Sequence, residues 1–182
     1  MALPSTLHHL DLHVAHADRG MEASAALKVA RHPSESPERL WLRIVALAWQ
    51  WTDGITLGPG LCEPDEPDAA VALPDGRRAL VVRVGTPAAA RVDRDIRANR
   101  GAHVAVLFES PRRMAAFLEE ASGQGITRLG AADLAAIDPP LLAALATRDE
   151  RRIRAGFTFV EGHVYVDVGG TTLDGPLHRP GA

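Results

Sequence analysis

The stretch "EPDEPDAAVALPDGRRALVVRVG", residues 63–85, sets an acidic turn, a tight second turn and an apolar strand in succession. Asp68 closes the acidic turn where a strand begins, and from there a carboxylate can hold a hard divalent cation. Mg²⁺ takes oxygen ligands at about 2.0–2.1 Å, with one or two carboxylates completed by water and substrate phosphate. A metal-dependent phosphodiester hydrolase would place a Glu-x-Lys pair on the next strand. This chain has Arg83 there instead. Of its 20 Lys and Arg residues only Lys28 is a lysine, so no lysine stands near residue 85. A guanidinium about 5 Å from a divalent ion repels it by roughly 6–7 kcal/mol at an effective dielectric near 20, an upper bound because the side chain can swing away. The expectation is weak or absent cleavage. Mg²⁺ is the candidate cofactor, and none is expected if Arg83 occupies the site.

Glu38 is the second candidate metal ligand and catalytic group. Glu38, Leu42, Val45 and Trp49 fall at i, i+4, i+7 and i+11, which puts the carboxylate at the head of the stripe facing a sheet. The competing reading is an acid in the first helical turn that complements the helix dipole, worth roughly 0.3–1 kcal/mol. Asp65 and Glu66 compete with Asp68 from the same turn, and that turn also reads as an exposed Pro/Asp loop. Arg83, on an interior strand flanked by valines, reads as buried and paired. A tight "PDGR" turn brings residue 68 beside residue 83. Arg83 is therefore expected within salt-bridge reach of Asp68 or Glu38, because a planar guanidinium can serve two carboxylates.

Other charged clusters carry less. Arg91, Arg94 and Arg97 share a helix face, but Arg91–Asp95 and Asp93–Arg97 pairs would half-neutralise it. Arg91, nearest the candidate pocket, is kept as ligand-binding. His9, Asp11 and His13 project from one face of the first strand, yet a structural zinc site has four protein ligands and no fourth is identifiable. They read as solvated. Cys62, the single cysteine, reads as a small apolar filler.

The elements that must position these groups follow from periodicity. Residues 6–16 alternate as a strand and "ASAALKVA" returns as its hairpin partner. Ser36-Pro37 opens a helix running to about Trp51, apolar around most of its circumference and hence central. A short strand, the hairpin "AAVAL"/"ALVVRVG", a helix opened by Pro87, the strand "HVAVLF" and the helix "PRRMAAFLEEAS" follow. "ITRLG" reads as a short strand, residues 131–147 as helical but broken by Pro139 and Pro140, and 153–168 as a hairpin turning at Glu161-Gly162. Residues 1–168 read as one domain and 169–182 as a loosely held C-terminal tail.

The length of 182 residues suits a single core. The net charge of −3 argues against indiscriminate coating of nucleic acid, though not against a local basic groove. The first twenty residues lack a basic start followed by an apolar core, so no signal peptide is read there. The run "IVALAW" is too short to span a bilayer. With one cysteine the expected compartment is reducing, and the location cytoplasmic with no membrane partner.

From 36 to 108 the order is helix, three strands, helix, strand. The fold expectation is α/β, a restriction-endonuclease-like αβββαβ core with an N-terminal β-hairpin and a C-terminal α/β extension. "ARHPSE" with Glu38 and Arg39 close behind, then "GLCEPDEPD", then "VGTP", resembles the YaeQ family over nearly the whole chain. The resemblance implies a variant nuclease fold with a polar, nuclease-like pocket and no settled activity. It places Asp68 in that pocket, with Arg31, His32 and Glu35 of "ARHPSE" as candidate ligand-binding residues. In the family pattern the strand before G-x-P carries an acid, as in "IELGQP". Here Arg83 replaces the acid, and Thr86 stands where an amide is common. The candidate catalytic set is therefore Glu38, Asp68, Arg83 and Thr86. The expected function is a degenerate pocket that binds nucleic acid or a phosphate-bearing ligand with little or no cleavage. The alternatives are an active Mg²⁺-dependent nuclease and a non-catalytic protein-interaction or regulatory module.

Overall fold

Alternating apolar residues at Leu10, Leu12 and Val14 make Thr6–His16 a half-buried strand, β1, which returns through a short 3-10 turn into β2, Met21–Arg31. The structure, a computed structural model, describes residues 5–181. Helix α1, Pro37–Trp49, starts where expected: Ser36 Oγ accepts from the Arg39 backbone N–H at 3.2 Å, with proline in the first helical position. Its residues from Leu40 to Trp49 are all buried.

The chain continues through β3, Thr56–Leu57; β4, Ala69–Ala72; β5, Arg78–Val84; α2, Ala89–Ala98; β6, His103–Phe108; and α3, Pro111–Gly123. It closes with β7, Ala132–Ile137; α4, Pro139–Ala146; β8, Arg152–Val160; β9, His163–Val168; and β10, Thr171–His178. The ten strands form one sheet in the order β2-β1-β8-β9-β10-β7-β6-β5-β4-β3, curled into a nearly closed, barrel-like wall. The pairs β1–β8, β5–β6 and β6–β7 are parallel, and the rest are antiparallel.

Two cores flank this wall. The inner one packs α1 and α4 against inward residues of both halves, including Leu10, Leu80, Val82, Leu107, Phe157 and Val166. The outer one packs α2 and α3 on Val81, Val104, Val106 and Phe108. Each fully buried Leu, Val or Phe contributes about 1.5–3 kcal/mol, so one curled sheet supplies two hydrophobic faces. The period-two alternation of β5 follows from this sandwiching: Leu80, Val82 and Val84 face α1, while Val81 and Arg83 face α2.

Three expectations are corrected. The stretch 131–147 is not helical before its prolines: Ala132–Ile137 is strand β7, and only Pro139–Ala146 is helical. "ITRLG" contributes a 3-10 turn, Arg128–Ala131, rather than a strand. An Ala-rich segment has little intrinsic strand preference, and its pairing with β6 and β10 overrides helix propensity. The segment after Val168 is no loose tail. It forms β10, which pairs with β9 through 171–176 and with β7 through 177–178, joining the two halves of the sheet. Among the described residues, no helix is long and apolar enough to cross a membrane.

Candidate functional site

Asp68 stands just before β4, and its backbone N–H donates to the Val82 carbonyl at 2.9 Å. With Ala69 paired to Val82, the hairpin brings residue 68 alongside residue 83, as the turn spacing predicts. The two side chains then diverge. Asp68 turns its carboxylate toward α1: one oxygen accepts from Arg39 Nη2 at 2.8 Å, the other from the Val84 backbone N–H at 2.9 Å. Arg43 Nε lies 3.8 Å away. Burial pushes the Asp68 carboxyl above the ordinary range, against the downward pull of Arg39, the Val84 N–H, Arg43 and Arg83.

Arg83 does not pair with Asp68 or Glu38. It faces α2, where it meets Asp95 in a two-pronged ion pair whose Nη2–Oδ1 arm is 3.1 Å. Its remaining donors go to the carbonyls of Glu66 and Asp65, each at 3.1 Å. Adjacent strand residues point to opposite sheet faces, so Val84 near α1 requires Arg83 on the α2 side. Arg83 thereby ties the acidic turn to α2. The expected Arg91–Asp95 pair is absent for the same reason: Asp95 is committed to Arg83, and Arg91 reaches back to Asp65. Asp93–Arg97 forms as predicted.

Glu38 also departs from expectation. Leu42, Val45 and Trp49 are buried on its stripe, but Glu38 itself lies one turn beyond the packed region and is exposed. Glu35 takes the interior position. Its side chain is fully enclosed, and both carboxylate oxygens accept from Arg43 Nη1 at 3.1 Å, while Arg43 Nη2 donates to the Gly58 carbonyl at 2.6 Å. Glu35, Arg39 and Arg43 recur at i, i+4 and i+8. That acid just before α1, followed by two arginines at four-residue spacing, is the sequence signal from which the network could have been found. Arg31 donates to the Glu35 carbonyl and to Asp149, and His32 accepts from the Ser34 N–H. Neither borders the Asp68 cavity.

That cavity holds about 300 Å³ and is bordered by Arg39, Asp68, Arg83, Val84, Thr86 and Arg91. A second cavity, about 560 Å³, shares Arg39 and Thr86 with it and adds Glu38, Glu109 and Arg113. Together they make a groove outside the C-terminal ends of β5 and β6, the edge where open α/β sheets bind ligands. Glu109, which sequence reasoning missed, accepts from Thr86 Oγ1 at 3.2 Å and pairs with Arg113 at 3.3 Å. Its other oxygen is buried and has no hydrogen-bond partner among the described residues.

The donor set does not suit a divalent cation. Both Asp68 oxygens already accept hydrogen bonds, three guanidiniums border the same cavity, and Glu38 lies in the neighbouring one. Among the described residues no three His, Cys, Asp or Glu side chains gather as a metal-binding group. Asp11 pairs with Arg154, and His13 lies 3.2 Å from Glu22. Cys62 is exposed, correcting its reading as an apolar filler: it sits in a surface 3-10 turn.

The family described as "YaeQ protein" matches residues 1–175. Curated relatives described as "Uncharacterized protein YaeQ" from Escherichia coli (strain K12) and Shigella flexneri are each 41% identical over 69 residues, covering 38% of this chain. The aligned stretch spans 38% of the length of those relatives. The crystal structure of YaeQ protein from Pseudomonas syringae is similar over 100% of this chain and 98% of that one, at a TM-score of 0.88 and 27% identity. That from Xanthomonas axonopodis pv. citri gives a TM-score of 0.88 at 24% identity, over 97% of this chain and 98% of that one.

Proposed function

The chain belongs to the YaeQ family, and from that premise we propose a cytoplasmic, non-cleaving binder of the phosphate groups of nucleic acid. One observation carries this reading: Arg39, Arg83 and Arg91 converge on one cavity, and Arg113 continues the line into the adjoining one. Guanidinium forks match phosphate oxygens two at a time, and Thr86 adds a hydroxyl at the junction. The order α1-β3-β4-β5-α2-β6 supports a restriction-endonuclease-like core beneath the groove.

The arginines differ in what a phosphate would have to displace. Arg83 is locked to buried Asp95 and supplies fixed positive potential. Arg91 is held only by Asp65, whose side chain is 87% exposed, so this ion pair exchanges at little cost. Arg39 is partly exposed and binds Asp68 through a single arm. A phosphate that takes Arg91 from Asp65 therefore meets Arg39 and Arg83 already in position. Hydrolysis is disfavoured because Asp68, the carboxylate deepest in the cavity, has both oxygens occupied. An active Mg²⁺-dependent nuclease using Asp68 and Glu38 would need those two carboxylates in one cavity, and a pure interaction module would not need three converging guanidiniums.

The test is fluorescence anisotropy with short labelled single- and double-stranded DNA and RNA at two salt concentrations, with gels for cleavage in Mg²⁺. The expected result is weak, strongly salt-dependent binding, reduced more by Arg91→Ala than by Arg94→Ala, with the probes intact. Equal affinities for the two variants would overturn the groove. Robust Mg²⁺-dependent cleavage lost in Asp68→Ala would establish the nuclease alternative instead.

A further inference from the structure

Another cavity, about 550 Å³, opens at the opposite end of α1, where β1, β8 and β10 end and β5, β6 and β7 begin. The phosphate groove borders Val84 at the end of β5, and this cavity borders Leu80 near its start, so the two occupy opposite ends of the barrel. Its volume falls within the range of small-molecule sites, about 300–1,000 Å³.

The polar wall is built around Asp133. Asp133 accepts from Gln50 Nε2 at 2.8 Å, is ion-paired to Arg179, and has His103 Nε2 at 3.7 Å. Against the opposing effect of burial, the nearby His103, the Gln50 hydrogen bond and the paired Arg179 hold its carboxyl below the ordinary range. Arg179 also donates to the Leu134 carbonyl, and its guanidinium lies 5.2 Å from the centre of the Trp49 ring. Arg179 is thus held over the face of the indole.

The opposite wall is aromatic and apolar. His16 stacks on Phe159 with ring centres 4.4 Å apart and planes 9° from parallel. Burial lowers the His16 pKa, and its Nε2 lies 2.9 Å from the Ala48 carbonyl, which can only accept. The neutral ring therefore carries its proton on Nε2 and leaves Nδ1 as an acceptor. Leu80 and Leu177 complete the apolar lining.

The charge balance separates this cavity from the groove. Three carboxylates, Asp18, Asp53 and Asp133, face two guanidiniums, Arg19 and Arg179, so no cationic excess selects an anion. What the cavity offers is flat apolar surface, with acceptors (Asp133, His16) and donors (Gln50, His103) around it. We propose that it binds a small molecule built on a planar heterocycle with both donors and acceptors, of the nucleoside type. The ring lies against Phe159 and Leu80, and its edge is read by Gln50, Asp133 and His103.

The experiment is an NMR titration of the full chain with adenosine, inosine, cytidine and uridine, each to about 5 mM, a concentration that reveals millimolar binding. The expected result is saturable shifts of the Gln50 side-chain amide and the Trp49 indole N–H with at least one nucleoside. Asp133→Asn and Gln50→Leu should each weaken that binding about tenfold or more, a loss of one or more hydrogen bonds. Arg94→Ala, on the exposed face of α2, should leave it unchanged. Thermal melts verify that each variant folds, and if Asp133→Asn does not, Gln50→Leu carries the comparison. No saturable shift with any of the four would overturn the proposal. Undiminished affinity in a folded variant, or equal shifts with benzyl alcohol, which has no such edge, would also overturn it.

Discussion

Asp68 shows how one side chain can be buried, paired and still poised against its own charge. Three guanidiniums and a backbone N–H favour the carboxylate, yet burial outweighs them and raises its pKa. An acid whose folded pKa lies above its unfolded value binds protons more tightly in the native state. Its contribution to stability is therefore greatest below the ordinary value of 3.8 and is lost as pH rises from there through the folded pKa. Asp68→Asn keeps an acceptor for the Val84 N–H and removes the titration. The stability of the parent relative to this variant should fall with rising pH across that window, then level off. Urea midpoints at a series of pH values measure it, and parallel profiles would show that Asp68 does not titrate with folding.

At the scale of elements, the groove depends on how closely the loop before β4 runs against the chain after β3. The Gly58 N–H donates to the Asp68 carbonyl at 2.8 Å, and a Cβ built on Gly58 would meet the Pro67 carbonyl oxygen at 1.9 Å. Backbone on both sides of this contact leaves no flexible side chain to yield. Gly58→Ala should therefore displace the segment carrying Asp68 and cost about 1–3 kcal/mol, the usual range for overpacking. A thermal melt checks the stability, and the anisotropy assay checks the groove. An unchanged Tm with unchanged binding would mean that the loop moves without carrying Asp68 with it. The same loop holds Arg43, whose Nη2 donates to the Gly58 carbonyl, so α1 and the loop are fixed to each other by one buried ion-pair network.

Across the whole molecule, β10 decides whether the sheet is one wall or two. It pairs with β9 over six positions and with β7 over two, and Gly175 lets it pass close to Asp138 and Leu141 at α4. Deleting residues 169–182 would expose an edge of β9 and one of β7, remove Leu177 from the inner core and uncover Leu141. The shortened chain should lose its cooperative thermal transition and aggregate. A cooperative melt at the full-length midpoint would refute the role assigned to β10. The barrel also explains why two cavities coexist: α1 fills the middle, and its two ends leave space for side chains of different chemistry.

Local chemistry in the sequence alone determined much of this protein. Period-two alternation specified β1, the turn after it its partner β2, and apolar runs β5 and β6; Ser36-Pro37 set the start of α1, and the spacing around "PDGR" placed residue 68 beside residue 83. These signals act within a few residues, where steric and hydrogen-bonding rules leave few choices. The YaeQ resemblance was equally legible, because its motifs are short runs of contiguous residues. Which carboxylate Arg83 would take was decided only in three dimensions. Asp68 is its neighbour along the sheet, but it lies just outside β4 and turns its carboxylate toward α1, while Asp95 waits on the face to which the pleat commits Arg83. Tertiary pairing likewise turned Ala132–Ile137 into a strand and a Gly-rich tail into β10. Strand pairing joins residues far apart in the chain, and its energy comes from partners that no local pattern encodes.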